Sequence, residues 1–198
     1  GFKWNKLGEV VEINPKKKEI INRDFSKKIS FVPMENVGVN GEIETIQTRT
    51  IEEVYKGFTY FREGDVLFAK ITPCMENGKG AIAKGLCNGI GFGSTEFHVL
   101  RPIKDKSTSN WIFRLTKLGK FRKCAETKMT GSAGQKRVPV SFLKEVYISI
   151  PPIELQNEFA EKVEKIEHQK QLLEKSLSLM EDNFNSLMQK AFKGELFS

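Results

Sequence analysis

From Phe159 onward the apolar residues Phe159, Val163, Ile166, Leu173, Leu177, Met180, Phe184, Leu187 and Ala191 recur at alternating steps of four and three, with only Lys170 interrupting. This is a heptad seam. No Pro or Gly lies between Pro152 and Gly194, so the spacing predicts one helix of about 40 residues, roughly 60 Å long at 1.5 Å per residue. A globule of ~150 residues has a radius of gyration of only about 15 Å, so such a helix cannot lie wholly against the rest of the chain. The seam therefore calls for a partner helix, and no second segment of this chain is long enough to supply one. Lys170 at a core position would favour one register, or would snorkel, at some cost in stability.

The remaining sequence reads as a different kind of structure. Short β-prone runs at Ile29–Pro33, Gly57–Phe61, Asp65–Ile71, Gly80–Ala83 and Thr95–Leu100 are cut by turns such as Asn40-Gly41, which predicts a half-buried sheet. A short helix with Leu7, Val10 and Val11 on one face precedes it. Ser107 or Thr108 offers an N-cap to a helix bearing Trp111, Leu115 and Leu118, broken at Gly119, with a further helical turn or two over Phe121–Lys128. The small, polar, basic stretch Met129–Pro139 reads as an exposed, mobile loop, and Ser141–Ile150 as a helical turn and a strand ended by Pro151-Pro152. The fold class is thus α+β: a sheet-rich globular domain with short helices over residues 1–150, followed by one long coiled-coil helix over 151–198.

Charge divides along the same line. The chain carries 32 Lys and Arg against 25 Asp and Glu, a net +7; residues 1–150 account for +10 and residues 151–198 for −3. A basic surface on the first domain fits a polyanion such as nucleic acid or an anionic membrane. No apolar run approaches the roughly 18 residues of a membrane-spanning helix, and residues 1–20 lack the apolar centre of a signal peptide, which points to a cytoplasmic protein without a membrane partner. The sequence opens on Gly1 rather than Met, so its natural start is undefined. Cys74, Cys87 and Cys124 show no C-x-x-C spacing, and His98 and His168 are far apart, so neither a disulfide scaffold nor a zinc site is expected.

The search for catalytic residues is mostly negative. Gly78-Lys79-Gly80 lacks the layout of a phosphate-binding loop, and there is no Gly-x-Ser-x-Gly elbow or metal-ligand pair at helical spacing. Pro151-Pro152 lacks the preceding Asn and following aromatic of amino-methyltransferases. Glu63, Asp65 and Lys70 form the nearest nuclease-like group, but the usual paired carboxylate-x-Lys spacing is missing, and Gly64-Asp65 fits better a turn in which Asp65 accepts backbone hydrogen bonds. His98 alternates within a strand as a sheet residue does, and Cys74 and Cys87 read as small semi-buried side chains.

Another set of polar residues suits DNA reading. Asn77 and Gln135 can present paired donor and acceptor atoms to adenine; Lys79, Lys136 and Arg137 can meet guanine edges or phosphates; Thr72, Ser94, Thr95 and Ser132 can bond either. All fall in turns and loops of the basic domain. By residue chemistry alone, a stand-alone DNA-binding regulator dimerising through its C-terminal helix remains open.

The order of segments resembles the specificity subunit of type I restriction-modification systems, or one half of it. The resemblance is carried by Trp4-Asn5-Lys6-Leu7-Gly8-Glu9, Phe31-Val32-Pro33 leading to Asn40-Gly41, Gly64-Asp65-Val66-Leu67-Phe68-Ala69, and Gly93-Ser94-Thr95-Glu96-Phe97-His98-Val99-Leu100-Arg101-Pro102. Later come Gly134-Gln135-Lys136-Arg137-Val138-Pro139, Ile150-Pro151-Pro152-Ile153-Glu154-Leu155-Gln156 and Ala191-Phe192-Lys193-Gly194-Glu195-Leu196. It implies a target recognition domain followed by a helical spacer, reading one half of a bipartite target in double-stranded DNA. It also implies a subunit without catalysis or cofactor of its own: methyltransferase subunits bring S-adenosylmethionine, and a motor-nuclease subunit joins through the complex. The family's full subunit has two recognition domains and two paired antiparallel helices, whereas this chain has one of each. The seam would then pair with a second half-subunit or with another copy, and a self-paired form would read an interrupted palindrome.

Overall fold

The computed structural model describes residues 2–132 and 134–196; Ala133 of the basic loop lies outside the described residues. The chain divides into two units, residues 1–156 and 157–198. The division falls after Gln156 rather than after residue 150, because the first helical turn beyond Pro151-Pro152 buries Gln156 completely within the first unit.

The first unit opens with strand β1 (Lys3–Lys6), a four-residue helix α1 (Leu7–Val10) and strand β2 (Val11–Ile13). Leu7 and Val10 are buried on α1 as the spacing predicts, but Val11 belongs to β2 instead of the helical face. An extended backbone at Val11 stops the helix and turns the chain into the sheet, where Val11 still reaches the same core. Strands β3 (Lys28–Val32) and β4 (Gln47–Thr50) follow, with helix α2 (Ile51–Val54) opening on a capping box between Thr50 and Glu53. Then come β5 (Thr59–Arg62), β6 (Val66–Ala69), β7 (Gly80–Ile82), β8 (Ile90–Gly93) and β9 (Phe97–Pro102).

Helix α3 (Ser109–Lys117) is capped by the Thr108 side chain, which accepts from the Trp111 amide. The break before the next helix falls at Leu118, whose backbone is extended, and Gly119 is the first residue of α4 (Gly119–Thr127). Helix α5 (Val140–Glu145) and strand β10 (Tyr147–Ile150) complete the unit, and β10 pairs antiparallel with β1.

Two four-stranded sheets, ordered β2-β9-β6-β7 and β4-β3-β8-β5, make the body of the unit. All neighbours are antiparallel except β3 with β8. Side-chain alternation decides the layers. Val66 and Phe68 of β6 pack with Ile112, Phe121 and Leu143 of the helices, while Leu67 between them packs with Phe61, Phe97 and Val99 between the two sheets. On the far face of the second sheet, Ile29, Phe31, Tyr60 and Phe92 pack with Ile51 and Val54 of α2. The first sheet is therefore covered on both faces, and all four residues of β6 are buried, where a half-buried sheet was expected. Glycine makes room within the second sheet: a Cβ on Gly91 of β8 would stand 2.1 Å from the Phe61 ring on neighbouring β5, and one on Gly93 would stand 2.3 Å from the Val32 carbonyl oxygen on neighbouring β3.

The second unit is the remainder of helix α6 (Ile153–Phe192), which runs for 40 residues. Its seam is exposed from Ile166 through Ala191, Leu173 to 71%, and Phe159 and Val163 are half-buried. Among the described residues, no helix is long and apolar enough to cross a membrane.

Candidate DNA-recognition surface

Three loops converge at one end of the first sheet. The segment leaving β6 is held to the turn before β9 by the Lys70 amide, which donates to the Glu96 carbonyl at 2.9 Å. It is held to the basic loop by Thr72 N–H to Lys136 O at 3.0 Å and by Val138 N–H to Lys70 O at 2.9 Å. Within the basic loop, Thr130 and Arg137 exchange backbone hydrogen bonds of 3.0 and 2.8 Å, closing it into a narrow hairpin. The loop read as merely exposed in the sequence is thus anchored at both ends.

The 70–79 segment is braced from below. Met75 is fully buried in the helical core, and the buried Arg122 guanidinium donates to Met75 O at 2.6 Å and Thr116 O at 2.7 Å. Lys117 donates to Gly78 O at 2.7 Å and also to the Val39 carbonyl. Backbone carbonyls that a loop would ordinarily leave to water are satisfied by these two cations.

The nine proposed DNA-reading residues fall into two groups. Five have uncommitted side chains: Asn77, Thr95, Ser132, Gln135 and Lys136 are exposed and none has a side-chain hydrogen bond or ion pair among the described residues. Four are engaged within the protein. Thr72 donates to Glu76 Oε1 at 2.6 Å, Lys79 donates to Met34 O at 3.2 Å, and Ser94 Oγ accepts from the Glu96 amide at 3.2 Å. Arg137 grips the Glu96 carboxylate through Nε and Nη2, both at 2.9 Å. Seven of the nine gather where the three loops meet; Asn77 lies further along the braced segment, and Lys79 turns away toward the 34–43 hairpin.

Between these loops and α4 lies a depression of about 360 Å3 lined by Thr72, Glu76, Lys123, Thr127, Met129 and Lys136 among others. Glu96 and Lys70 complete the local charge set. The Arg137 hydrogen bonds hold the Glu96 carboxyl below its usual range, and partial burial lowers the Lys70 ammonium. Neither stood out in the sequence as part of this surface, because Arg137 and Glu96 are 41 residues apart and no local spacing signals a pair at that distance.

The nuclease-like trio is structural at its carboxylates. Asp65 is buried, accepts the Arg62 amide at 2.9 Å, and takes a bidentate grip from Arg101 at 2.8 and 2.7 Å. Glu63 accepts the Gly85 and Leu86 amides, each at 2.8 Å. Among the described residues, no group of three His, Cys, Asp or Glu is placed to hold a metal ion.

A family profile for the type I restriction modification DNA specificity domain matches residues 1–181. The chain belongs to this specificity-domain family. It is 44% identical over 158 residues to the type I restriction enzyme EcoAI specificity subunit of Escherichia coli, and 43% identical over 153 residues to the EcoEI specificity subunit of the same organism. Those matches take in 79% and 77% of this chain but 26% and 25% of the relatives, so the chain spans about a quarter of their length.

The fold is shared with solved specificity-subunit structures. The HsdS subunit of Thermoanaerobacter tengcongensis matches over 96% of this chain and 48% of its own, with a TM-score of 0.71 at 21% identity. A chain solved in work on complex assembly and conformational transition of the type I R-M system matches over 97% of this chain and 48% of its own, with a TM-score of 0.71 at 22% identity. The α+β domain followed by one long helix is thus the architecture of about half of such a subunit.

Proposed function

We propose that this specificity-domain chain is a DNA target recognition unit of a type I restriction-modification complex, reading one half of a bipartite target in double-stranded DNA. The observation that carries this reading is the cluster of uncommitted polar side chains on mutually anchored loops, in a chain whose residues 1–150 carry +10. A reading surface needs donors and acceptors that the protein itself leaves free, on backbone rigid enough to fix their register. Thr95, Ser132, Gln135 and Lys136 meet both conditions.

The chain contributes recognition, working in the cytoplasm, and the chemistry falls to its partners. Methyltransferase subunits dock on it and hold the S-adenosylmethionine, while a motor-nuclease subunit joins through the complex. Helix α6 pairs along its seam with a second half-subunit, or with another copy of this chain.

Replacing Lys136 by Ala tests the DNA surface. Binding to duplex DNA should weaken at every sequence tried, and the slope of log affinity against log salt should flatten by about one, the signature of one lost phosphate contact. Binding of the variant that equals the wild type at several salt concentrations would remove this loop from the interface.

A further inference from the structure

Among the described residues, Glu96 is the one carboxylate gripped by a guanidinium at the loop junction, and a DNA-binding surface has no evident use for a negative charge. Both of its oxygens accept from Arg137, Oε2 from Nε and Oε1 from Nη2, each at 2.9 Å. Arg137 Nη1 donates to the Gln135 carbonyl at 3.0 Å, so every nitrogen of the guanidinium is engaged. The backbones behind the pair are fixed as well. Glu96 donates its amide to Ser94 Oγ and accepts from Lys70, and Arg137 exchanges both backbone bonds with Thr130. The pair is nonetheless at the surface, with side chains 41% and 25% exposed.

We propose that Glu96 masks Arg137 from DNA phosphates and is thereby a specificity-determining residue of the recognition surface. The inference rests on the DNA-recognition reading above. A phosphate approaching Arg137 competes with a carboxylate that already makes the bidentate, charge-assisted contact a phosphate would make. Displacing Glu96 would also leave a bare carboxylate facing a polyanion. Arg137 therefore ties the basic loop to the turn before β9 without adding a phosphate contact. Each phosphate neutralised strengthens binding to all sequences alike, so withholding one leaves a larger share of the affinity to side chains such as Gln135 and Thr95.

The test compares wild type, Glu96→Gln, Arg137→Ala and the double variant on duplex DNA of random sequence, from about 50 to 200 mM salt. Glu96→Gln should bind random duplex more tightly at low salt, with a slope steeper by about one, so that its affinity falls about fourfold further than that of the wild type across this range. Arg137→Ala alone should keep the wild-type slope, and the double variant should return to it. A merely structural role for Glu96 would weaken binding without steepening the slope, and that result would overturn the proposal. So would a flatter slope in Arg137→Ala, since it would show Arg137 touching phosphate with Glu96 in place; this arm decides the matter even if Glu96→Gln fails to fold. Wild type that binds no duplex at low salt would refute the recognition reading together with the mask. Wild type that binds, with Glu96→Gln of unchanged slope, would refute the mask alone.

Discussion

His98 is fully committed inside the first unit. Its Nε2 lies 2.8 Å from the Val138 carbonyl oxygen and its Nδ1 3.1 Å from Asn14 Nδ2, an arrangement that assigns the ring as neutral, donating through Nε2 and accepting at Nδ1. Burial lowers its pKa from 6.5, against the smaller raising effect of the Val138 contact. The folded state therefore binds a proton less readily than the unfolded chain does. Stability from this group is full above about pH 6.5 and declines as pH falls below that value toward the folded-state pKa. Chemical denaturation of His98→Gln should show a smaller loss of stability than wild type between about pH 6.5 and 5, a window above the carboxylates. Equal losses in the two proteins would mean that His98 is not the group responsible. Its role as a satisfied strand residue was legible from alternation in Phe97-His98-Val99-Leu100, but its partners were not, lying 40 and 84 residues away.

At the scale of elements, Gln156 shows what terminates one unit and begins the next. Pro151-Pro152 stops β10 and opens α6, as the sequence suggested. The side chain one turn in does what no pattern announced. Gln156 Oε1 accepts from the Thr108 amide at 2.9 Å, and Nε2 donates to the Lys106 and Pro151 carbonyls at 3.1 and 2.9 Å, with the whole residue buried. Gln156→Ala leaves those three backbone groups without their partner. It should cost about 2–3 kcal/mol in urea or guanidinium unfolding of the first unit; a loss under about 0.5 kcal/mol would mean that water replaces the amide without penalty. The basic loop makes the same point. Its composition marked it as exposed, whereas its anchoring depends on backbone bonds with Lys70 and Thr72 of the segment leaving β6, far away in the sequence.

For the whole molecule, the decisive feature is a 40-residue helix whose seam is exposed over most of its length. Water contact along Ile166, Leu173, Leu177, Met180, Phe184 and Leu187 is unfavourable by about 25 cal/mol per Å2 of apolar surface, and pairing removes it. Leu173→Glu and Leu177→Glu should each abolish association of the chain through α6, read as molecular mass by sedimentation, while leaving the thermal transition of the first unit in place. A dimer that survives both changes would refute the seam as the pairing surface. Affinity capture from source cells addresses the partners. A stoichiometric methyltransferase-sized protein is expected, and recovery of a bare dimer from cells that make such proteins would favour a stand-alone DNA-binding regulator.

The long helix, its seam, a cap at Ser107 or Thr108 and the positions of β3, β5, β6, β7, β9 and β10 were determined by the sequence itself, because each depends on residues within a few positions of one another: heptad steps, a capping hydroxyl, alternation between two faces. Family membership was legible for a related reason, since it rests on the order of local motifs. Strands β1, β2, β4 and β8 gave no usable local signal, being short and, in β8, half glycine; they exist because neighbouring strands complete their hydrogen bonds and Phe61 fills the space over Gly91. The proposed recognition surface was only half visible. Polarity and loop position picked out nine residues, but whether a side chain is free to meet DNA depends on what the fold brings beside it, and for Arg137 the fold brings Glu96.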